Sequence, residues 1–227
     1  MSRLSLSALA LVVSSTAAIA QSPERVRIGA FAIDRTEVTI GQFRAALQGR
    51  QTTAEREGGG YEFTAGWTRR RGWTYLAPFG QQASDHEPAV HVSWTEARDH
   101  CAAIGGRLPT FAEWRQAAFT ETREQPTDGF VRGKTYVYAV GDKPDGMNTG
   151  RRRHAAVGTT KRGVNGLYEM GANVWEWTAD RRGEEALTAG GSWWYGPENS
   201  RAEGAQWKAA SFFAVYVGFR CAYDVAG

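Results

Sequence analysis

The sequence predicts an α+β fold with a large share of irregular chain. Three observations carry this. Helix-start signals cluster in the first half of the chain, short β-like runs follow in the second, and 27 glycines and 9 tryptophans are spread over 227 residues. Helices early and strands late suggest segregated elements rather than a repeating βαβ pattern. Many glycines point to tight backbone turns. Many tryptophans point to large aromatic contacts in a core or a groove.

Taken in order, Val26 to Ile33 alternates apolar and other residues and predicts a first strand. Thr39-Ile40-Gly41-Gln42 is a capping box that opens a helix through Phe43 and Leu47. Residues 48–60 are polar and glycine-rich and read as a loop. Residues 61–79, with Trp67 and Trp73, read as irregular chain with one strand at most. Ser93-Trp94-Thr95-Glu96 opens a helix to about Ile104, stopped by Gly105. Ala97, Cys101 and Ile104 share one of its faces. Thr110-Phe111-Ala112-Glu113 opens another helix through Trp114, Ala117 and Ala118. Beyond Gln125 glycine and proline recur, and short strands are expected at Val174–Trp177, Ser192–Trp194 and Ala214–Cys221.

Hydrophobic residues at 42% and charged residues at 22% place the chain among globular proteins. The net charge of +3 gives no general reason to expect nucleic acid. The basic runs Arg69–Arg71 and Arg151–Arg153 read as solvated loop charge. The N-terminus reads as a signal peptide over residues 1–20. Arg3 supplies the charge, Leu4 to Val13 the apolar stretch, and Ala18-Ile19-Ala20 the small-x-small cleavage site. The remainder, 21–227, is expected to be one exported domain, periplasmic or secreted, with no membrane span after cleavage. Its two cysteines, Cys101 and Cys221, admit one intramolecular pairing. A redox or metal site is the alternative, although neither cysteine lies in a C-x-x-C or beside clustered histidines.

Several segments together resemble the sulfatase-modifying-factor domain, the family of the formylglycine-generating enzyme. They are Thr36-Glu37-Val38-Thr39 with Gln42-Phe43, Pro88 to Trp94, Gly106-Arg107-Leu108-Pro109-Thr110 with Glu113-Trp114, Gly166 to Trp177, Gly190-Gly191-Ser192-Trp193, and Gly218-Phe219-Arg220-Cys221. They occur in order along nearly all of residues 21–227. The resemblance implies a C-type-lectin-like fold and a structural disulfide between Cys101 and Cys221. Fold alone does not assign function.

The resemblance also says where chemistry would sit. Two copper-binding cysteines follow the Gly-Gly-Ser motif in the enzyme, and those positions here are Tyr195 and Ser200. Copper(I) needs soft thiolates, so no copper is expected. The implied calcium ligands are the side chains of Glu169 and Glu176 and the carbonyls of Ala172 and Val174. Glu169 and Ala172 depart from the family's usual residues there, and Ala resists positive φ. A non-heme iron site would need two histidines and a carboxylate converging. His86, His91, His100 and His154 read instead as loop and core residues, which leaves iron undetermined. Trp193, Trp194, Tyr195, Glu198, Asn199 and Arg201 form the expected groove for a peptide or small ligand, residue types common in binding hot spots. One of the two tryptophans is expected to be core. The leading reading is a binding or maturation-assisting member of the family without copper. A divergent metal-dependent oxidase is the alternative, and formylglycine generation comes behind both.

Overall fold

The computed structural model describes residues 23–225; the expected signal peptide lies outside them. The chain runs β1 (Arg25–Ile28), β2 (Phe31–Asp34), α1 (Ile40–Leu47), α2 (Thr53–Arg56), β3 (Gly59–Phe63), β4 (Trp67–Arg71), α3 (Trp94–Ala103), α4 (Phe111–Phe119), β5 (Trp175–Arg182), β6 (Glu185–Ala189), β7 (Gln206–Ala209), β8 (Val217–Gly218) and β9 (Ala222–Asp224). The strands form a three-stranded sheet β1-β2-β9, a hairpin β3-β4, and a four-stranded sheet β7-β6-β5-β8. In the last, β5 and β8 are parallel and the other pairs antiparallel. Long segments without regular structure connect them, and the result is α+β and C-type-lectin-like as expected.

The helix starts follow the sequence closely. Thr39, Ser93 and Thr110 each accept a hydrogen bond from the backbone N–H three residues on, and the side chains of Gln42, Glu96 and Glu113 accept in turn from the cap's own N–H. Each satisfies backbone donors that a helix start leaves free. The same box, Thr52 with Glu55, opens α2 inside the stretch read as loop. The strands differ more from expectation. The single strand over Val26–Ile33 is a hairpin, because Gly29 turns the chain at φ +58°. Residues 61–79 supply the β3-β4 hairpin. Ser192–Trp194 is a turn, and the strands beside β5 are β6 and β8, with β7 beyond β6. Of the expected last strand, Val217–Gly218 pairs as β8 and Ala214 makes an isolated bridge to Tyr61, before β9 resumes.

Three indoles hold the helices on β5. Trp94 Nε1 on α3 donates to Thr178 O at 2.7 Å, Trp114 Nε1 on α4 to Glu176 Oε2 at 2.8 Å, and Trp177 Nε1 to Val92 O at 2.9 Å. A buried indole needs such an acceptor for its N–H. The main core gathers Phe43, Trp94, Trp175, Trp177, Trp193 and Phe219; a second core gathers Ile28, Ile33, Trp114, Phe119 and Met170.

Cys101 on α3 is bonded to Cys221 just before β9, across 120 residues. Constraining so long a loop in the unfolded chain stabilises by roughly 4–5 kcal/mol in the chain-entropy model. Cys101→Ala with Cys221→Ala is expected to lower unfolding free energy by about that amount in denaturant titrations. Thiol titration of the denatured, unreduced protein should find no free thiol, and two free thiols would refute the pairing.

Candidate functional site

The turn into the site begins at Gly190 and Gly191, at φ +95° and +75°. Both must be glycine. A Cβ on Gly190 would lie 3.1 Å from Trp114 Cζ2, and one on Gly191 would lie 2.9 Å from Ser200 Oγ. The turn then sends three successive aromatic residues in different directions. Trp193 is buried in the main core, Trp194 is 43% exposed, and Tyr195 is half-buried. Tyr195 N donates back to Ser192 O, and Tyr195 O accepts from Gly150 N.

Tyr195 forms part of an open pocket of roughly 270 Å³, lined by Trp67, Trp175, Tyr195, Gln206, Lys208, Ala209, Phe212 and Tyr216. The rings meet edge to face, Trp175 with Tyr195 at 5.7 Å and Trp67 with Phe212 at 4.8 Å between centroids. Trp67, 50% exposed on β4, forms the outer rim, joined by Phe63 of β3 at 5.3 Å. The hairpin is fixed to the pocket by the Tyr216 hydroxyl, which accepts from Phe63 N. Burial pushes both phenols, Tyr195 and Tyr216, above the usual tyrosine range. Both remain neutral hydrogen-bonding groups at neutral pH.

The expected groove is therefore divided. Tyr195 faces the aromatic pocket and Trp194 the surface. Glu198 and Asn199 lie on a short 3₁₀ turn, Pro197–Ser200. Arg201 turns to a different cavity, where its Nε donates to the Tyr138 hydroxyl at 3.0 Å beside Phe119, Tyr136 and Glu203. Ser200 is fully buried, and its hydroxyl finds no protein partner. Sequence reasoning missed Trp67, Trp175, Lys208, Phe212 and Tyr216. Trp67 and Trp175 are each far in sequence from the stretch that holds Lys208, Phe212 and Tyr216, and only packing joins the three segments.

Behind the pocket, the turn that carries Glu169, Ala172, Val174 and Glu176 is closely built. Glu169, Ala172 and Asn173 all have positive φ, +53°, +71° and +50°. Side chains and neutralising charges hold this sparsely populated backbone in place. Glu37 accepts from Val174 N at 3.1 Å and from Asn173 Nδ2 at 2.6 Å. Glu169 accepts from Gly158 N, Thr160 N and Thr160 Oγ1. Glu176 receives Trp114 Nε1 and, through both of its oxygens, the buried guanidinium of Arg220 at 2.7 and 2.8 Å.

A carboxylate offers about four acceptor directions. Three are used on Glu169 and three on Glu176, so most of the directions a calcium ion would use are taken by the protein's own donors. Burial, then the charges of Glu169 and Glu176, push the Glu37 carboxyl well above the usual range. Neither Glu37 nor Arg220 was singled out as a site residue from the sequence, although both stand in the motifs that carry the resemblance.

The four histidines do not converge. His86 is exposed, and His100 lies between Phe43 and Phe219 at 5.5 and 5.2 Å. His91 Nε2 bonds to Pro78 O at 3.0 Å, and His154 Nε2 to Glu87 Oε2 at 2.8 Å. Burial lowers the pKa of His91 and of His100 to about 4. Among the described residues no group of three or more His, Cys, Asp or Glu side chains is placed to hold a metal ion. Both cysteines are in the disulfide, which leaves no thiolate.

Comparison with known proteins agrees with the fold and the motifs. Residues 10–225 match the family model described as Sulfatase-modifying factor enzyme 1-like domain. The chain is 30% identical to the formylglycine-generating enzyme of Streptomyces coelicolor over 68% of its own length and 59% of that protein. It is 26% identical to the hercynine oxygenase of Mycobacterium tuberculosis, over 88% of this chain and 54% of that one. The chain therefore spans about half to three-fifths of the length of these relatives. The solved structure of PvdO from Pseudomonas aeruginosa superposes with a TM-score of 0.60 at 20% identity, covering 86% of this chain and 80% of that one.

Two measurements test the turn. Arg220→Met strands Glu176 without its partner and should cost about 3–5 kcal/mol of stability, the usual effect of breaking a buried pair. Because the carboxylates are already occupied, calcium and a chelator should give the same melting temperature. A calcium-dependent rise that Glu176→Gln abolishes would show that the turn reorganises around the ion.

Proposed function

The chain belongs to the sulfatase-modifying factor enzyme 1-like domain family, and from that premise we propose that it is a binding member working without copper. It holds a peptide or a small ligand in the aromatic pocket beside Tyr195, for capture or to assist maturation of a partner. One observation carries the reading. Where the resemblance places the copper thiolates, this chain has a phenol and a hydroxyl, and the phenol opens onto a pocket walled by Trp67, Trp175, Phe212 and Tyr216.

The side chains suit binding. Trp and Tyr supply large contact area at low entropic cost, and their neutral N–H and O–H groups orient a ligand. Trp67 and Phe63 on the β3-β4 hairpin extend the apolar surface outward, as a peptide would require. The chemistry of copper(I) finds no soft donor here, since Tyr195 and Ser200 offer hard oxygens. Export to the periplasm or beyond is part of the same proposal and rests on the N-terminal sequence.

N-acetyl-phenylalaninamide is a minimal aromatic peptide for this pocket. Its binding, followed by ligand-observed NMR, should weaken at least tenfold in Trp67→Ala, in line with the loss of a hot-spot aromatic. The purified protein should form no aldehyde from a cysteine-containing sulfatase peptide, with or without copper. Copper-dependent aldehyde in the mass spectrum would overturn the copper-free reading. An unchanged affinity in Trp67→Ala would remove the pocket from it.

A further inference from the structure

Lys208 is the one charged residue among those that line the aromatic pocket. It stands on β7, opposite Ala186 of β6, and its amino group reaches over the Trp175 ring, 4.2 Å from the centroid. Nζ donates to Thr188 Oγ1 at 2.7 Å and to Gln206 Oε1 at 3.2 Å. The Thr188 hydroxyl spends its own hydrogen on Gln206 O at 2.9 Å, so toward the lysine it acts as an acceptor. An ammonium has three donors. Two go to uncharged oxygens here, and no carboxylate pairs with Lys208 among the described residues.

That is an unusual position for a lysine. Largely buried ammonium groups are normally paired, because burial without a counter-charge is costly. The neighbouring charges are committed elsewhere. Glu185 on β6 pairs with Arg182, Glu176 on β5 with Arg220, and Glu62 on β3 with Arg70. The titratable groups that share the pocket are the neutral phenols of Tyr195 and Tyr216. An aromatic box by itself suits a cationic ligand. In this one an ammonium already occupies the face of Trp175, so a second cation would be repelled.

We propose that this pocket selects ligands in which a carboxylate is joined to a flat apolar group, with Lys208 receiving the carboxylate and the aromatic walls receiving the ring. The proposal deepens the binding reading above and rests on it. A space of roughly 270 Å³ suits one aromatic ring with a short acid arm. The carboxylate supplies the counter-charge and accepts the remaining N–H, beside rings that shield the pair from part of the solvent. The free protein leaves Lys208 at about 7, lowered by desolvation. The acid therefore binds best where the amine is charged, and its advantage declines as pH rises through that value.

Phenylacetate and its uncharged amide, phenylacetamide, separate the two contributions. Calorimetric or NMR titrations of the wild-type protein at about pH 6 should find the acid at least tenfold tighter than the amide, a margin of about 1.4 kcal/mol. By about pH 9 most of that margin should be gone, while amide binding stays level because both phenols remain neutral. Lys208→Met should erase the margin at the lower pH, so that acid and amide bind alike there. Lys208→Arg, charged throughout, should keep the margin at both pH values. If acid and amide bind equally at about pH 6, and both weaken in Trp67→Ala, the pocket stands and the anchor is overturned. If neither probe binds at about 10 mM, near the weak limit for so small a ligand, both readings fall together.

Discussion

A guanidinium sealed in the core organises the rest of this molecule. Arg220 is fully buried, and four of its contacts tie separate parts of the chain together. Two go to the Glu176 carboxylate on β5, one to Asp34 O at the end of β2, and one to Tyr168 O at the start of the positive-φ turn. The next residue, Cys221, is bonded to α3 and donates its N–H to Asp34 Oδ2. A charge this deep is tolerated only when its donors are nearly all used, because the desolvation penalty is several kcal/mol per ion. The acceptors it requires, two backbone carbonyls and one carboxylate, come from three places, so those places must come together. The same requirement explains how a chain with short strands and long irregular connections settles on one arrangement.

From that constraint the pocket follows by strand geometry. Alternate residues of a strand point to opposite faces. On β5, Glu176 turns toward Trp114 and Arg220, and so Trp175 and Trp177 turn to the other side, into the main core. Trp175 is thereby presented to β7 and the aromatic pocket. The glycine pair at 190 and 191 makes the second half of the placement. It allows the chain to pass close to Trp114 and Ser200 and then to direct Trp193 inward, Trp194 outward and Tyr195 to the pocket wall. Two polar networks result, one on each side of β5, with unlike charge balance. Around Arg220 there is an excess of carboxylates, and in the pocket there is an ammonium without one.

How much of this the sequence disclosed depends on how local each determinant is. Capping boxes need four consecutive residues, so α1, α3 and α4 were legible at Thr39, Ser93 and Thr110. The box at Thr52 has the same form, but it lies in a polar, glycine-rich stretch and opens a helix of a single turn, too short to show a period. Strand positions were less legible. β6 and β7 are edge or near-edge strands with mixed polarity, and Ser192–Trp194 has the composition of a strand yet bends at the glycines. The disulfide followed from the resemblance and from there being two cysteines. Of the expected groove, Tyr195 was placed in the pocket. Arg201 was not, because the 3₁₀ turn between them rotates it toward Tyr138. Trp67 and Lys208, about 140 residues apart in the chain, meet only through long-range packing, and no reading of spacing could join them.

The division across β5 also bears on what evolution of such a site can change. Residues on the Glu176 side are coupled: Glu37, Asn173, Glu169 and Arg220 share hydrogen bonds or charge, so substitution at one alters the others and is not additive. Residues on the Trp175 side contribute rings and single hydrogen bonds from independent segments, the β3-β4 hairpin, the turn after Gly191, β7 and the stretch before β8. Each can vary with little effect on the buried pair, because the strand itself separates the two faces. The buried charge pair thus sits on one face of β5 and the aromatic pocket on the other, so a substitution that reshapes the pocket leaves the contacts of Arg220 in place.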